Sequence, residues 1–152
     1  MALNYLMRIP LLTRLGSHSI NTVEAHARVL EELGHVSIAK FGAPNPLVEK
    51  LQQQLTEGTP TYLILVYRKA KEFHAIQARI GAIRVGSATE PIRSSVPEYY
   101  ASLSYAASLW FTIQAPFEKS DLTKLRLASN KKPILKVLAS TRTPAMIVET
   151  LP

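Results

Sequence analysis

Five aromatic side chains, Tyr99, Tyr100, Tyr105, Trp110 and Phe111, crowd into 13 residues of a chain that has only eleven such residues. Aromatic faces beside cations are the surfaces on which single or extruded nucleobases stack. Neighbouring strand residues point to opposite faces, so one of Trp110 and Phe111 packs a core and the other is free to face a pocket or solvent. Tyr99 and Tyr100 follow Pro97 in a polar stretch, where a buried pair is less expected than a binding wall. Core packing is the competing reading for the whole group.

Cations recur in two further places. Asn130, Lys131 and Lys132 precede Pro133, with Arg142 following, and Arg68, Lys69 and Lys71 end an apolar run. Lysine and arginine beside amide and hydroxyl donors suit contacts to phosphate, which position a nucleic acid without reading its sequence. Solvated turns would have the same composition. The charge is unevenly spread. Residues 1–57 are neutral, with five basic and five acidic side chains, and the net +7 lies entirely in residues 58–152. That one-sidedness, with a pI near 9.8, is the footprint of a polyanion binder.

Catalysis finds little support. The chain has no cysteine, which removes disulfides, thiol chemistry and cysteine-based metal sites. His18, His26, His35 and His74 lack metal-ligand spacing and read as surface or capping residues, and no pair of acidic residues is spaced for acid–base work. There is no nucleophile elbow, phosphate-cradling glycine loop or dinucleotide fingerprint. The expectation is a protein that is not an enzyme and carries no metal or cofactor.

The elements that must position these residues follow from periodicity. At 152 residues and 47% hydrophobic composition, the chain reads as a single domain, 1–152. Residues 5–12 predict a first strand and 16–21 a polar loop. Asn21 or Thr22 caps a helix over Thr22–Leu33, whose face is Val23, Ala27, Leu30 and Leu33 and whose stop is Gly34. Residues 35–41 alternate as a strand. A second helix spans 46–57, with Pro46 in its first turn, Leu47, Leu51 and Leu55 on one face, and Gly58 at its end. Residues 62–67 predict a central strand buried on both faces, and 73–85 a long strand bent at Gly81. Residues 87–100 read as a surface loop and 106–115 as another strand. Only two helices are convincing, too few for parallel crossovers, so the class is α+β: a curled, mostly antiparallel sheet or β-barrel with two or three helices packed outside. No apolar run approaches the ~20 residues that cross a bilayer, and no membrane partner is expected. Arg8 and Arg14 interrupt the apolar N-terminal stretch, which is unlike a signal peptide, so a cytoplasmic location is expected.

As a set, several segments resemble the PUA-like superfamily, in its EVE and YTH-like branch. GHVSIAKFGAP is similar to that branch's early glycine–lysine element. TPTYLILVY and FHAIQARIGAI resemble its paired central strands, and VPEYY followed by LWFTI resembles its Tyr-Tyr and Trp-Phe element. Ala39 stands where the pattern often has glycine, and Ser37 and Ile38 where aromatics often occur. The resemblance implies a curled β-barrel that reads a modified, for instance methylated, base in DNA by flipping it into an aromatic-walled pocket. Lys40, Phe41, Tyr99, Tyr100, Trp110 and Phe111 would form that pocket. Arg68, Lys69, Lys71, Asn130, Lys131, Lys132 and Arg142 would hold the backbone. It also implies a targeting role in a modification-dependent restriction system, beside a GTPase or nuclease subunit or fused domain. RNA binding without modified-base specificity, or a protein-interaction or regulatory module, are the alternatives. Salt-sensitive binding separates the interaction or regulatory module from either nucleic-acid reading.

Overall fold

A computed structural model of the chain describes residues 2–41, 48–103 and 107–152. Tyr105, Pro46, Leu47 and the breaker residues 42–45 lie outside them. Seven strands form one mixed sheet. In chain order they are β1 (Leu3–Arg8), β4 (His35–Lys40), β5 (Tyr62–Lys69), β6 (Glu72–Val85), β7 (Leu109–Lys119), β8 (Leu125–Leu127) and β9 (Ala145–Thr150). Between β1 and β4 lies a separate hairpin, β2 (Leu12–Leu15) and β3 (His18–Asn21). The helices are α1 (Thr22–Leu33), α2 (Val48–Thr56), α3 (Glu90–Arg93) and α4 (Ile134–Ser140). The sheet order is β4-β7-β6-β5-β1-β9-β8, and among the described residues only the β1–β5 pair is parallel. The architecture is therefore α+β with a mostly antiparallel sheet, as the scarcity of crossover helices required.

The sheet curls. Tyr5 on β1 and Phe111 on β7 are three strands apart in sheet order, about 14 Å in a flat sheet at ~4.8 Å per strand. Their ring centroids are 4.6 Å apart. That contact requires β7 to fold back over β1. Register shifts in β6 between Gln77 and Arg79 and between Ile80 and Ala82 supply the bend, the second at Gly81. Among the described residues the sheet's two outer strands, β4 and β8, are not paired with each other, so no hydrogen-bonded barrel closes there.

β5 sits where its composition required. Leu63 and Leu65 face the interior of the curl with Tyr5, Val36, Ile38, Phe111 and Ile113, where Leu30 of α1 and Leu51 of α2 also pack. Ile64 and Val66 face outward, against Leu122, Ile134 and Leu138 under α4. A third cluster, Ala39, Ala88, Ile92, Tyr100, Ala107 and Trp110, lies under α3 and the 3-10 turn Glu98–Leu103.

Four expectations need correction. The strand expected over 5–12 stops at Arg8, because Pro10 has no N–H to donate to a ladder. Residues 16–21 are not a loop: Gly16, at φ 63°, makes the turn that pairs β3 with β2. Residues 87–100 are not a surface loop but a docked cap, with Ala88, Ile92, Ser95 and Tyr100 buried. On α1 the buried stripe is Thr22, His26 and Leu30, and Leu33 is 48% exposed. The stripe is rotated because His26 finds polar partners inside. The ends of α1 are as expected: Asn21 Oδ1 accepts from Glu24 N at 3.0 Å, and Gly34, at φ 79°, donates to Leu30 O.

Candidate functional site

The curl leaves a gap between the end of β1 and the edge strand β4, roofed by the start of α1 and by the cap. There lies a cavity of about 340 Å³, walled by Met7–Pro10, Ile38–Phe41, Thr13, Thr22, His26, Tyr99, Tyr100 and Pro144. It is within the ~300–1,000 Å³ range of small-molecule sites.

Its deepest polar group is His26, 1% exposed. Nδ1 lies 2.7 Å from Thr22 O, a carbonyl that only accepts, so Nδ1 carries the proton. Nε2 then accepts from the Tyr100 hydroxyl at 2.7 Å. Burial pushes the His26 pKa down to about 4, against the pull of the Thr22 bond, so the ring is neutral at pH 7. Burial also raises the phenol of Tyr100 well above its usual value, and that of Tyr99 in the same direction. Tyr99 hydrogen-bonds to Thr13 and Tyr100, and Thr13 Oγ1 meets Thr22 Oγ1 at 2.7 Å. These side chains thus close a ring of hydrogen bonds around the cavity. The aromatic rings meet edge to face: Tyr99–Tyr100 at 4.9 Å and His26–Tyr100 at 5.5 Å between centroids. The wall is neutral, aromatic and held in place from several elements. Such a surface stacks and hydrogen-bonds a flat, uncharged group.

Of the six pocket residues singled out in the sequence, four are brought together here: Lys40, Phe41, Tyr99 and Tyr100. Lys40 is largely buried, and its ammonium donates to the Phe41 carbonyl; the Phe41 side chain is 48% exposed at the rim. Tyr99 is half-buried. Phe111 and Trp110 do not line the cavity. Phe111 points into the curl against Tyr5, as adjacent strand residues on opposite faces demand. Trp110 stands behind Tyr100 at 6.1 Å, with Nε1 donating to Ala107 O at 3.1 Å. Its part is to support the wall.

The cations divide. Arg68, Lys69 and Lys71 sit at the β5–β6 hairpin, at the same end of the sheet as the cavity, because Arg8 pairs with Val66 in the β1–β5 register. Arg142 lies between Thr141 and Thr143, whose carbonyls both accept from the Arg8 guanidinium. Asn130, Lys131 and Lys132 lie elsewhere. Lys131 pairs with Glu149, which Arg126 also meets at 2.8 Å, and these two cations hold the Glu149 carboxyl below its usual range. Glu149 is opposite Leu3, whereas Ala145, beside the cavity, is opposite Met7, so the Lys131 loop is at the far end of β9. Asn130 Oδ1 accepts from Lys132 N at 3.0 Å and shapes the turn.

Two site residues were not singled out in the sequence: His26, which reads there as a surface or capping residue but is buried, and Arg8. The only local sign of His26 is its place four residues, one helical turn, after Thr22. Arg8 showed as a charge inside an apolar strand. Among the described residues, no three His, Asp or Glu side chains gather as metal ligands, and no helix is long and apolar enough to cross a membrane. Compared with models of protein families, with curated proteins and with solved structures, the chain finds no match.

Proposed function

We propose that this chain is a non-catalytic nucleic-acid-binding module that accepts an extruded, modified base of DNA in the cavity between β1 and β4. The observation that carries this reading is the cavity itself. It is large enough for a base, His26, Tyr99 and Tyr100 give it a neutral, aromatic, hydrogen-bonded wall beside the cations Arg8 and Lys40, and it opens at the end of the sheet that carries Arg68, Lys69 and Lys71. Extruding a base costs a few kcal/mol of stacking, which a stacking wall returns. The curled sheet is consistent with the barrel of PUA-like, EVE and YTH-like domains. A place beside a GTPase or nuclease in a modification-dependent restriction system belongs to the same reading.

A titration against matched duplexes bearing methyladenine, methylcytosine, hydroxymethylcytosine or no modification tests it, with single-stranded RNA alongside. Preference for one modified duplex is expected; equal affinity for all four duplexes would refute base reading. A protein-interaction role has one feature in its favour. A groove of about 700 Å³ runs between the β2–β3 hairpin, α1 and the cap, walled by Leu15, Ile20 and Val29 with Glu24, Glu32 and Arg28. Binding indifferent to salt would favour that groove over the cavity.

A further inference from the structure

We infer that Arg8 and Arg68 form a phosphate site beside the base cavity, so that the ligand unit is a nucleotide, with base and phosphate held separately. The inference deepens the reading of the cavity as a base site and rests on it for the identity of the ligand. A second cleft of about 270 Å³ adjoins the cavity and shares Arg8, Ile9 and Pro10 with it. Arg68, Tyr67 and Phe73 are among its other walls. Both guanidiniums lie over the Phe73 ring, Arg8 at 5.8 Å and Arg68 at 5.2 Å from its centroid.

Arg8 is held rigidly. Its Nε donates to Thr143 O at 3.0 Å, and one Nη2 serves both Leu138 O at 3.0 Å and Thr141 O at 2.6 Å. Its Nη1 has no hydrogen-bond partner among the described residues. Arg68 is exposed and makes one long contact, to Lys71 O at 3.4 Å. Neither arginine has a carboxylate partner among the described residues, where the ion pairs found are both those of Glu149. The Arg8 guanidinium is held below its ordinary pKa by partial burial and by the charge of Arg68. Two cations that repel each other beside one aromatic ring, with no carboxylate partner among the described residues, are stabilised by an incoming anion. Guanidiniums donate charge-assisted hydrogen bonds to phosphate oxygens; Arg8 keeps its Nη1 donors for one, and the exposed Arg68 is free to turn its fork towards the same phosphate. The cleft lies one wall away from the cavity, and a single sugar separates a base from its own phosphate.

The test uses the whole chain and three ligands: inorganic phosphate, a modified nucleoside 5′-monophosphate, and a short single strand carrying the same base. The Arg8 Nε resonance is followed by NMR as phosphate is added. A saturable shift is expected, weakened about tenfold in Arg68→Ala and partly restored in Arg68→Lys. No shift at high phosphate, or equal affinity in Arg68→Ala, overturns the site. Tyr99→Ala separates this inference from the one beneath it. If Tyr99→Ala abolishes strand binding while Arg68→Ala leaves it unchanged, the phosphate site is wrong and the base cavity stands. If phosphate binding depends on Arg68 and Tyr99→Ala has no effect on the strand, the phosphate site stands and the base cavity falls. A monophosphate bound as tightly as the strand identifies the ligand as a free nucleotide; a tighter strand identifies it as nucleic acid.

Discussion

His26 and Tyr5 show how differently two buried polar side chains can be treated. His26 satisfies both ring nitrogens, yet its pKa falls from 6.5 to about 4. The unfolded chain therefore binds a proton that the native chain refuses between those pH values. This group's contribution is complete above pH 6.5 and is lost as pH falls towards 4, by about tenfold in the folding equilibrium per pH unit. Urea titrations from pH 7.5 to 4.5 should show that slope, and His26→Gln should remove it; an unchanged slope in the variant would refute the assignment. The Tyr5 hydroxyl, in contrast, is buried with no hydrogen-bond partner among the described residues. Removing an unsatisfied buried group is worth about 1–3 kcal/mol, so Tyr5→Phe should raise the melting temperature with the Phe111 contact intact. Trp110 and Tyr99 divide along the same line. Trp110→Ala empties a fully buried site and should cost around 3–5 kcal/mol of stability. Tyr99→Ala, at a half-buried wall, should cost less stability than Trp110→Ala and weaken base binding by ~1–3 kcal/mol, more than its loss of stability accounts for. The adjacency of Trp110 and Phe111 revealed that they face opposite ways. It did not reveal that both faces of β7 are covered, because the cap over Trp110 is built from residues that read as a polar loop.

At the scale of the element, local signals were the legible ones. Asn21 and Gly34 bound α1 because capping involves only the residues around it, and the run from Tyr62 to Val66 needed nothing beyond its own composition to be a central strand. The β2–β3 hairpin was hidden, since LTRL and HSIN are short, half polar and stabilised chiefly by pairing with each other. The burial of His26 depends on Tyr100, 74 residues away, which no helical period could disclose. The β5–β6 hairpin holds a local conflict. Its two turn residues, Ala70 and Lys71, have φ 53° and 67°, the left-handed region that the tight primed turns of hairpins demand and that residues with a Cβ disfavour. Asn-Gly is the sequence suited to that geometry. Changing Ala70→Asn with Lys71→Gly should stabilise the protein by about 1 kcal/mol in thermal unfolding, and a lower melting temperature would show that the turn is not strained. Lys71 is also a cation at the cavity's end of the sheet, so the same variant should bind nucleic acid less well. Gain of stability with loss of binding is the signature of a turn kept for function.

For the molecule as a whole, the total charge was legible and its distribution only in part. Residues close in sequence suggested one basic face, but folding sends Arg68, Lys69 and Lys71 to the end of the sheet that holds the cavity and sends Lys131 to Glu149 at the other end of β9. The charge of Lys131 is therefore already answered within the fold, whereas the hairpin cations have no carboxylate partner among the described residues. Two charge reversals separate these roles. Lys69→Glu with Lys71→Glu should weaken binding to every nucleic acid, modified or not, and lower the slope of log affinity against log salt by about 2, since each lost phosphate contact removes ~0.9 of a released counterion. Lys131→Glu with Lys132→Glu places new carboxylates beside Glu149 and deprives it of a partner. That pair of changes should lower the melting temperature and leave the salt slope near its parental value. Fluorescence titrations over a range of salt concentrations, beside thermal melts of the same samples, read both quantities. Should the Lys131 and Lys132 changes flatten the slope while the hairpin changes do not, the strand would cross the β8 edge of the sheet, and the cavity between β1 and β4 would lie off its path.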